Sequence, residues 1–415
     1  MRVTSAFMLL FGLFIALVSA KAKLSDAWDI DASCDSRREQ LDNSFSDLVE
    51  MVRKARMDLF RVQEPKLQRK TQSYLSDVNW DRIARNLAVI FGLKPPEDPT
   101  KNGFDPEEEH FNKVNYTIGR MYGGLVQGDA MPEGGFSTKL QNLNKKPLIM
   151  CGDRNWEFRR RRQGDKYERF RTVEQVFPEL QGNAFEGAYI HEYRYLRGWA
   201  ALQTPQICIG GVYGVTLQRH DLITFCDSAF EFPDEKSPVR DADQVTIGTK
   251  LDDDRFGFNT LTRVMLHEFA HYYGTVVPEN YNGNADQLER GKLKDVPAVD
   301  KNGCKLWKDA KGGFTREKQN EDSQVVYTFQ LVTNIARDQT GNEHAGQWRR
   351  DQKGRPDDWE EGERGDSGPH MATRTAETYA YFAILSYMDG WDWTSDGIAR
   401  ELPKVAESAG RPDDD

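Results

Sequence analysis

The chain has 415 residues, of which 38% are hydrophobic and 29% are charged. These fractions are typical of a globular protein, and the length is enough for two or three domains of ~150 residues each. The formal net charge of −10 argues against a nucleic-acid partner, because proteins that bind nucleic acids present a basic face.

The first twenty residues are typical of a secretory signal peptide. Arg2 supplies a positive start, residues 7–18 form an apolar stretch, and residues 18–20 are the small residues of a cleavage site. The apolar stretch is well short of the ~20 residues that cross a bilayer, and no later segment comes near that length. We therefore expect a secreted, extracellular protein with no membrane partner, and residues 1–20 are assigned to the signal peptide.

The cysteine content favours disulfides. Five cysteines in an exported chain predict two disulfides and one remaining thiol. Five choices of the odd cysteine, with three pairings each, leave fifteen arrangements among which the sequence does not choose. The five are Cys34, Cys151, Cys208, Cys226 and Cys304.

Residues 21–146 are predicted to form an N-terminal helical region. Hydrophobic residues recur there every three or four positions, which places them on one face of a helix. This spacing occurs in residues 41–52, 83–91 and 111–121. We interpret these stripes as core positions.

From residue 147 onward, short apolar runs alternate with turn residues, which predicts a small β-sheet. The runs lie at residues 148–151, 207–216 and 222–226. Helices followed by a small sheet indicate the α+β class.

Composition also suggests where the later part of the chain divides. Between residues 339 and 369 the chain is charged, glycine-rich and poor in aliphatic residues, so burial cannot offset the entropy of ordering it. We therefore expect four parts after the helical region: a main region at residues 147–310, a partly disordered insertion at 311–370, a closing helix of the main region at 371–400 and a flexible tail at 401–415.

One motif carries chemistry. His267, Glu268 and His271 form the pattern H-E-x-x-H inside an apolar stretch. On a helix, residues four apart lie one above the other, so both imidazoles can reach one cation. Zinc in catalytic sites takes three protein ligands and leaves one position for water, from which Glu268 could accept a proton. The pattern predicts a zinc metalloendopeptidase with Zn²⁺ as cofactor and Glu268 as the general base.

Around this motif the chain resembles a known family, the secreted fungal aspzincins, which include deuterolysin and the lysine-specific metallo-endopeptidases. The likeness rests on four segments in the same order: Ile-Thr-Phe-Cys at residues 223–226, the H-E-x-x-H segment at 266–271, Cys-Lys-Leu-Trp at 304–307 and the helix at 375–382. The resemblance implies a zincin-like fold that hydrolyses protein or peptide substrates.

The resemblance also bears on the third zinc ligand. In that family it is an aspartate, followed three residues later by a tyrosine that assists at the transition state. Alignment on Cys304 points to Asp295, but Ala298 then stands in the place of the tyrosine. Three other acidic residues are alternatives for the third ligand: Glu279, Asp286 and Glu289.

The closing helix bears on specificity. In the lysine-specific relatives two acidic residues, one turn apart on this helix, receive the basic side chain of the substrate. Glu377 matches the first of them, whereas Ala380 replaces the second. The resemblance thus implies a substrate-binding role for Glu377, with basic residues preferred and not required.

A rival interpretation belongs to another class of protein. The chain could be a secreted zinc-binding or host-interacting protein that keeps the peptidase fold with little catalysis. Glu268 favours the enzyme, because metal binding alone does not need a general base.

Overall fold

The structure is a computed structural model. It describes residues 23–66, 74–128, 136–182, 184–233, 236–252, 259–276, 285–301, 305–309, 311, 313–315, 325–337 and 368–402. The predicted signal peptide lies outside the described residues, as do most of the predicted insertion and nearly all of the predicted tail.

The described part of the chain contains eleven α-helices and nine short strands, so the predicted α+β class is confirmed. Three long helices lie where the N-terminal periodicity predicted them, and a fourth carries the H-E-x-x-H motif. The helices are α1 Leu24–Ala27, α2 Arg38–Gln63, α3 Tyr74–Phe91, α4 Glu109–Met121, α5 Thr138–Asn142, α6 Val173–Val176, α7 Leu261–Tyr273, α8 Ala285–Gly291, α9 Phe329–Ala336, α10 Gly368–Thr373 and α11 Ala376–Tyr387.

The strands form three small sheets. The first has four strands in the order β1-β2-β7-β6, the second has the order β3-β4-β5, and the third pairs β8 with β9. The strands are β1 Asp29–Ile30, β2 Leu148–Cys151, β3 Glu157–Arg160, β4 Gly187–His191, β5 Arg194–Gly198, β6 Gly214–Leu217, β7 Leu222–Phe225, β8 Trp307–Lys308 and β9 Phe314–Thr315.

The four-stranded sheet positions the site. Strands β1, β2 and β7 are parallel, and the apolar runs of β2 and β7 are buried, as is typical of parallel strands. Strand β6 is antiparallel to β7, with Gly214 opposite Phe225 and Leu217 opposite Leu222. Because β6 is the last strand in the order, one of its edges pairs with no strand of the described chain.

One hydrophobic core joins the N-terminal helices to α7 and α11. Trp28, which follows α1, shows how close this packing is. Its indole Nε1 donates a hydrogen bond of 3.1 Å to the hydroxyl of Tyr273 on α7, and its ring lies 4.6 Å from that of Tyr272. Position 124 must be a glycine, because a Cβ there would lie 2.3 Å from the ring of Tyr273.

Both ends of α7 have polar partners, which a fully buried helix needs because its terminal backbone groups cannot reach water. At the N-terminus, the Thr260 hydroxyl accepts a hydrogen bond from the backbone N–H of Arg263. At the C-terminus, Lys113 Nζ donates to the carbonyl oxygen of Gly274 at 2.9 Å, and Arg120 donates to that of Thr275 at 2.8 Å. These two cations also face the negative end of the helix dipole.

Two disulfides are present, Cys34–Cys151 and Cys208–Cys226, so the predicted number is confirmed. The first ties the turn after β1 to β2, and the second ties the segment before β6 to the end of β7. Both are consistent with an extracellular protein. The fifth cysteine, Cys304, lies outside the described residues.

Among the helices in the described part of the chain, none combines the length and the apolar character that a membrane crossing requires.

Candidate metal centre

Helix α7 brings the two histidines of the motif together. All thirteen of its residues are buried, and His267 and His271 lie on successive turns of one face. Their Nε2 atoms are 3.0 Å apart. The spacing in the sequence therefore produces the geometry that the motif predicted.

Asp295 completes a cluster with these histidines, which we call the His–His–Asp cluster. Its Oδ1 lies 3.0 Å from His267 Nε2 and 3.1 Å from His271 Nε2. The segment that carries Asp295 reaches this place because Lys294 pairs with Thr375, just before α11. The three side chains could hold a metal ion, since their ligand atoms all lie within 4.8 Å of one another.

The other candidates for the third ligand are placed differently. Glu289 lines the same cavity, where its carboxylate pairs with Lys292. Glu279 and the side chain of Asp286 lie outside the described residues. Within the described part of the chain, Asp295 is thus the acidic residue that joins both histidines.

The outer nitrogens of both imidazoles have acceptors. His267 Nδ1 donates to Oε2 of Glu377 at 2.7 Å, and His271 Nδ1 donates to the carbonyl oxygen of Leu293 at 2.9 Å. With Nδ1 protonated in this way, the Nε2 atom of each imidazole carries a lone pair when the ring is neutral, as it is when a metal ion takes the place of the second proton. Two imidazole lone pairs and a carboxylate oxygen then converge on one point, and this donor set fits a divalent transition metal.

Glu377 connects the closing helix to α7. Its side chain is 0% exposed, and its second oxygen, Oε1, accepts a hydrogen bond of 2.5 Å from Arg263 Nη1. Arg263 lies one turn before His267 on α7, and its side chain is only 4% exposed. Both carboxylate oxygens of Glu377 thus have partners on α7.

The opposite charges in the cluster shift the pKa values of one another's groups. Burial lowers the pKa of His267, but Asp295 and Glu377 outweigh this effect and raise the pKa well above its usual value. Burial raises the pKa of Asp295, yet His271 and His267 hold it well below its usual range. The site therefore stabilises a positive charge between these groups, whether a proton or a metal ion supplies it.

Glu268 faces the sheet beside the cluster. It is 5% exposed, and its Oε2 accepts a hydrogen bond of 2.6 Å from the hydroxyl of Thr216 on β6. Burial raises the pKa of Glu268. Gly214, on the same face of β6, leaves room for this carboxylate, because a Cβ there would lie 2.8 Å from Glu268 Cγ and Oε1.

A cavity of about 620 Å³ opens beside the cluster. One wall is formed by residues 210–216, which include strand β6, and another by residues 292–295. Tyr327 lies in the lining with its ring 6.4 Å from that of His267. Burial raises the pKa of Tyr327 most, and the negative charges of Asp295 and Glu377 raise it further. Its hydroxyl therefore stays protonated at neutral pH.

Several residues of this site have a weak signal in the sequence or no signal. Arg263 has one, since it is a charged residue four positions before His267, on the helix face that carries both histidines. Thr216, Gly214 and Tyr327 have none, because their roles depend on segments that meet only after folding.

Comparison of the chain with protein-family models, with curated proteins and with solved structures finds no match.

Proposed function

We propose that this protein is a zinc-dependent endopeptidase. The observation that carries the proposal is the convergence of two imidazole nitrogens and a carboxylate oxygen beside a separate, buried carboxylate, that of Glu268. A catalytic zinc site needs three ligands, an open position and a base, and the cavity beside the cluster provides the space. Zn²⁺ bound there would supply a Lewis acid that polarises a carbonyl and lowers the pKa of water.

Glu268 would be the proton acceptor in this reaction. Its carboxylate lines the cavity beside the cluster without belonging to the His–His–Asp cluster, so it stays available to accept a proton there. Its hydrogen bond to Thr216 holds one oxygen toward β6 and leaves the other for the proton. The position of the carboxylate thus depends on the sheet as well as on α7.

The free edge of β6 suggests how a substrate lies. The backbone N–H of Cys226 donates to the carbonyl of Tyr213, so alternate residues of this strand direct their backbone groups toward β7. By this alternation, the backbone groups of Gly214 and Thr216 point away from β7. An extended peptide could pair with them as an added strand, with its scissile bond beside Glu268.

We further propose that the fold is zincin-like and that the protein is a secreted relative of the aspzincins. Three features support this: the aspartate that aligns with the family's third ligand joins both histidines, strand β7 leads into Cys226, and Cys226 is in a disulfide. Protein or peptide chains would be the substrates. The rival interpretation is a metal-binding protein without catalysis, and such a protein would not need the hydrogen bond that holds Glu268.

Digestion of casein by the purified protein, with and without a chelator, tests the proposal. We expect cleavage that the chelator abolishes and Zn²⁺ restores. Glu268→Gln should keep the metal and lose activity by about two to four orders of magnitude, because it removes the general base. Zinc content of both proteins is the control. A variant as active as the wild type would contradict the mechanism, and a zinc-loaded wild type that cleaves nothing would favour the rival.

A further inference from the structure

We propose that Glu377 and Arg263 form a buried pair that positions His267 as a metal ligand, and that Glu377 does not receive a substrate side chain. The inference deepens the proposed function, and it rests on that function only in requiring that the His–His–Asp cluster binds a metal ion.

The contacts of Glu377 leave it no free oxygen. Oε2 accepts from His267 Nδ1 at 2.7 Å, and Oε1 accepts from Arg263 Nη1 at 2.5 Å. The carboxylate is 0% exposed although the residue lies at the border of the cavity. A basic substrate side chain would therefore have to displace one of two buried partners before it could bind.

Charge makes that displacement unfavourable. A lysine ammonium that approached Glu377 would come close to the Arg263 guanidinium, which is itself buried and carries the same charge. The second position of the acidic pair is Ala380, which offers no further carboxylate. The closing helix thus gives a lysine side chain no accessible negative group at these two positions.

The same contacts explain a positioning role. A hydrogen bond from Nδ1 to a carboxylate orients the imidazole, keeps Nε2 free for the metal and raises its basicity. Arg263 binds the other oxygen of the carboxylate, and it does so from the helix that carries His267, one turn away. His267, Glu377 and Arg263 therefore form one buried, hydrogen-bonded unit across the contact between α7 and α11.

The test is the dissociation constant for Zn²⁺, measured with a competing chelator on the full-length protein. Glu377→Gln keeps the size of the side chain and removes the charge, and we expect zinc binding to weaken by about 10- to 100-fold. The matched control is Asp58→Asn, which breaks another buried arginine–carboxylate pair, with Arg82, between α2 and α3. This control should leave the affinity for zinc unchanged.

Cleavage-site mapping in a mixed peptide library is the second readout. We expect the wild type and Glu377→Gln to share one profile at the residue after the cut, with a lower kcat in the variant. Unchanged zinc affinity together with a lost preference for lysine would overturn the inference and restore a substrate pocket. A wild type that binds zinc and cleaves no peptide would refute the proposed function and leave the affinity test valid.

A further variant covers the case in which Glu377→Gln does not fold, as judged by circular dichroism. Arg263→Lys keeps the buried charge and removes the planar fork that holds the carboxylate. Weaker zinc binding in this variant would support the positioning role, and wild-type affinity would refute it.

Discussion

The two histidines of the cluster are oriented by different kinds of acceptor. His267 donates to a carboxylate of the closing helix, whereas His271 donates to the backbone carbonyl of Leu293, two residues before Asp295. A carboxylate raises the basicity of the imidazole more than a carbonyl does, because it carries a full charge. The two ligands thus depend on two separate segments of the chain.

Substitution of the single residue Gly214 tests how the carboxylate of Glu268 is positioned. A Cβ at this position would lie 2.8 Å from Cγ and Oε1 of Glu268 and 3.0 Å from Cδ, so Gly214→Ala must displace the carboxylate. A shift of about 1 Å in a catalytic group can lower the rate ~100-fold. We expect kcat to fall by about that factor in a peptide assay, with zinc content unchanged.

Gly164→Ala is the control for this substitution. Gly164 has an ordinary backbone conformation, and a Cβ there would meet nothing within 4 Å. The peptidase activity of the Gly164→Ala protein should equal that of the wild type. If Gly214→Ala also kept full activity, the position of Glu268 would not depend on the space beside β6.

At the scale of elements, Asp31 joins three parts of the fold. It follows β1, its Oδ1 accepts hydrogen bonds from the backbone N–H of Ser33 and from Asn155, and its Oδ2 lies 3.0 Å from Nε2 of His191 at the end of β4. Burial raises the pKa of Asp31, but the contacts with His191 and Ser33 outweigh burial and hold it well below its usual value.

The lowered pKa of Asp31 determines how its contribution to stability depends on pH. A carboxyl whose pKa is lower in the folded state stabilises the fold above its unfolded pKa of ~3.9, and that contribution is lost as the pH falls toward the folded pKa. Asp31→Asn should therefore lower the free energy of unfolding by about 2 kcal/mol at pH 7. The difference between the two proteins should shrink below about pH 4.

Denaturant unfolding at several pH values measures both quantities. Asp227→Asn is the control, because Asp227 pairs with Arg154 at an exposed position, 3.5 Å away, and should change stability by less than ~1 kcal/mol. A difference between Asp31→Asn and the wild type that stays constant down to pH 3 would contradict the role of the ionised carboxylate.

At the scale of the whole molecule, the N-terminal region and the site share one core. The ring of Trp28 packs against those of Phe269, Tyr272 and Tyr273 on the helix that carries the histidines. Strand β1 extends the sheet that ends in β6, and a disulfide joins Cys34 to β2. The N-terminal helices therefore support the site directly.

A truncated chain tests this organisation. A protein that starts at residue 147 would lose β1, the Cys34–Cys151 disulfide and the helices that cover α7 and α11. A native disulfide alone contributes about 2 to 5 kcal/mol, which is a large part of the stability of a domain. We expect this truncation to lack a cooperative thermal transition by circular dichroism.

Removal of residues 403–415, within the predicted tail, serves as the control and should leave the melting temperature unchanged. A folded, zinc-binding protein that starts at residue 147 would show instead that the N-terminal region is a separate domain.

The sequence by itself determined the local features of this protein. It gave the α+β class, the N-terminal helices, the number of disulfides and the two histidines with Glu268 between them. The helices, the strands and the histidine motif follow from spacing along the chain, since periodicity and four-residue intervals are properties of a single helix or strand. The number of disulfides follows from the count of cysteines.

Only the tertiary structure decided which distant groups meet. It paired four cysteines, brought Asp295 to the histidines, set Thr216 and Gly214 against Glu268 and enclosed Glu377 between His267 and Arg263. These contacts depend on how sheet, helices and loops pack across long sequence separations, and no local pattern encodes the partner of a side chain. Asp295 and Glu289 are equally acidic in the sequence, but only the packing of the chain beside α11 places Asp295 within 3.1 Å of both imidazoles.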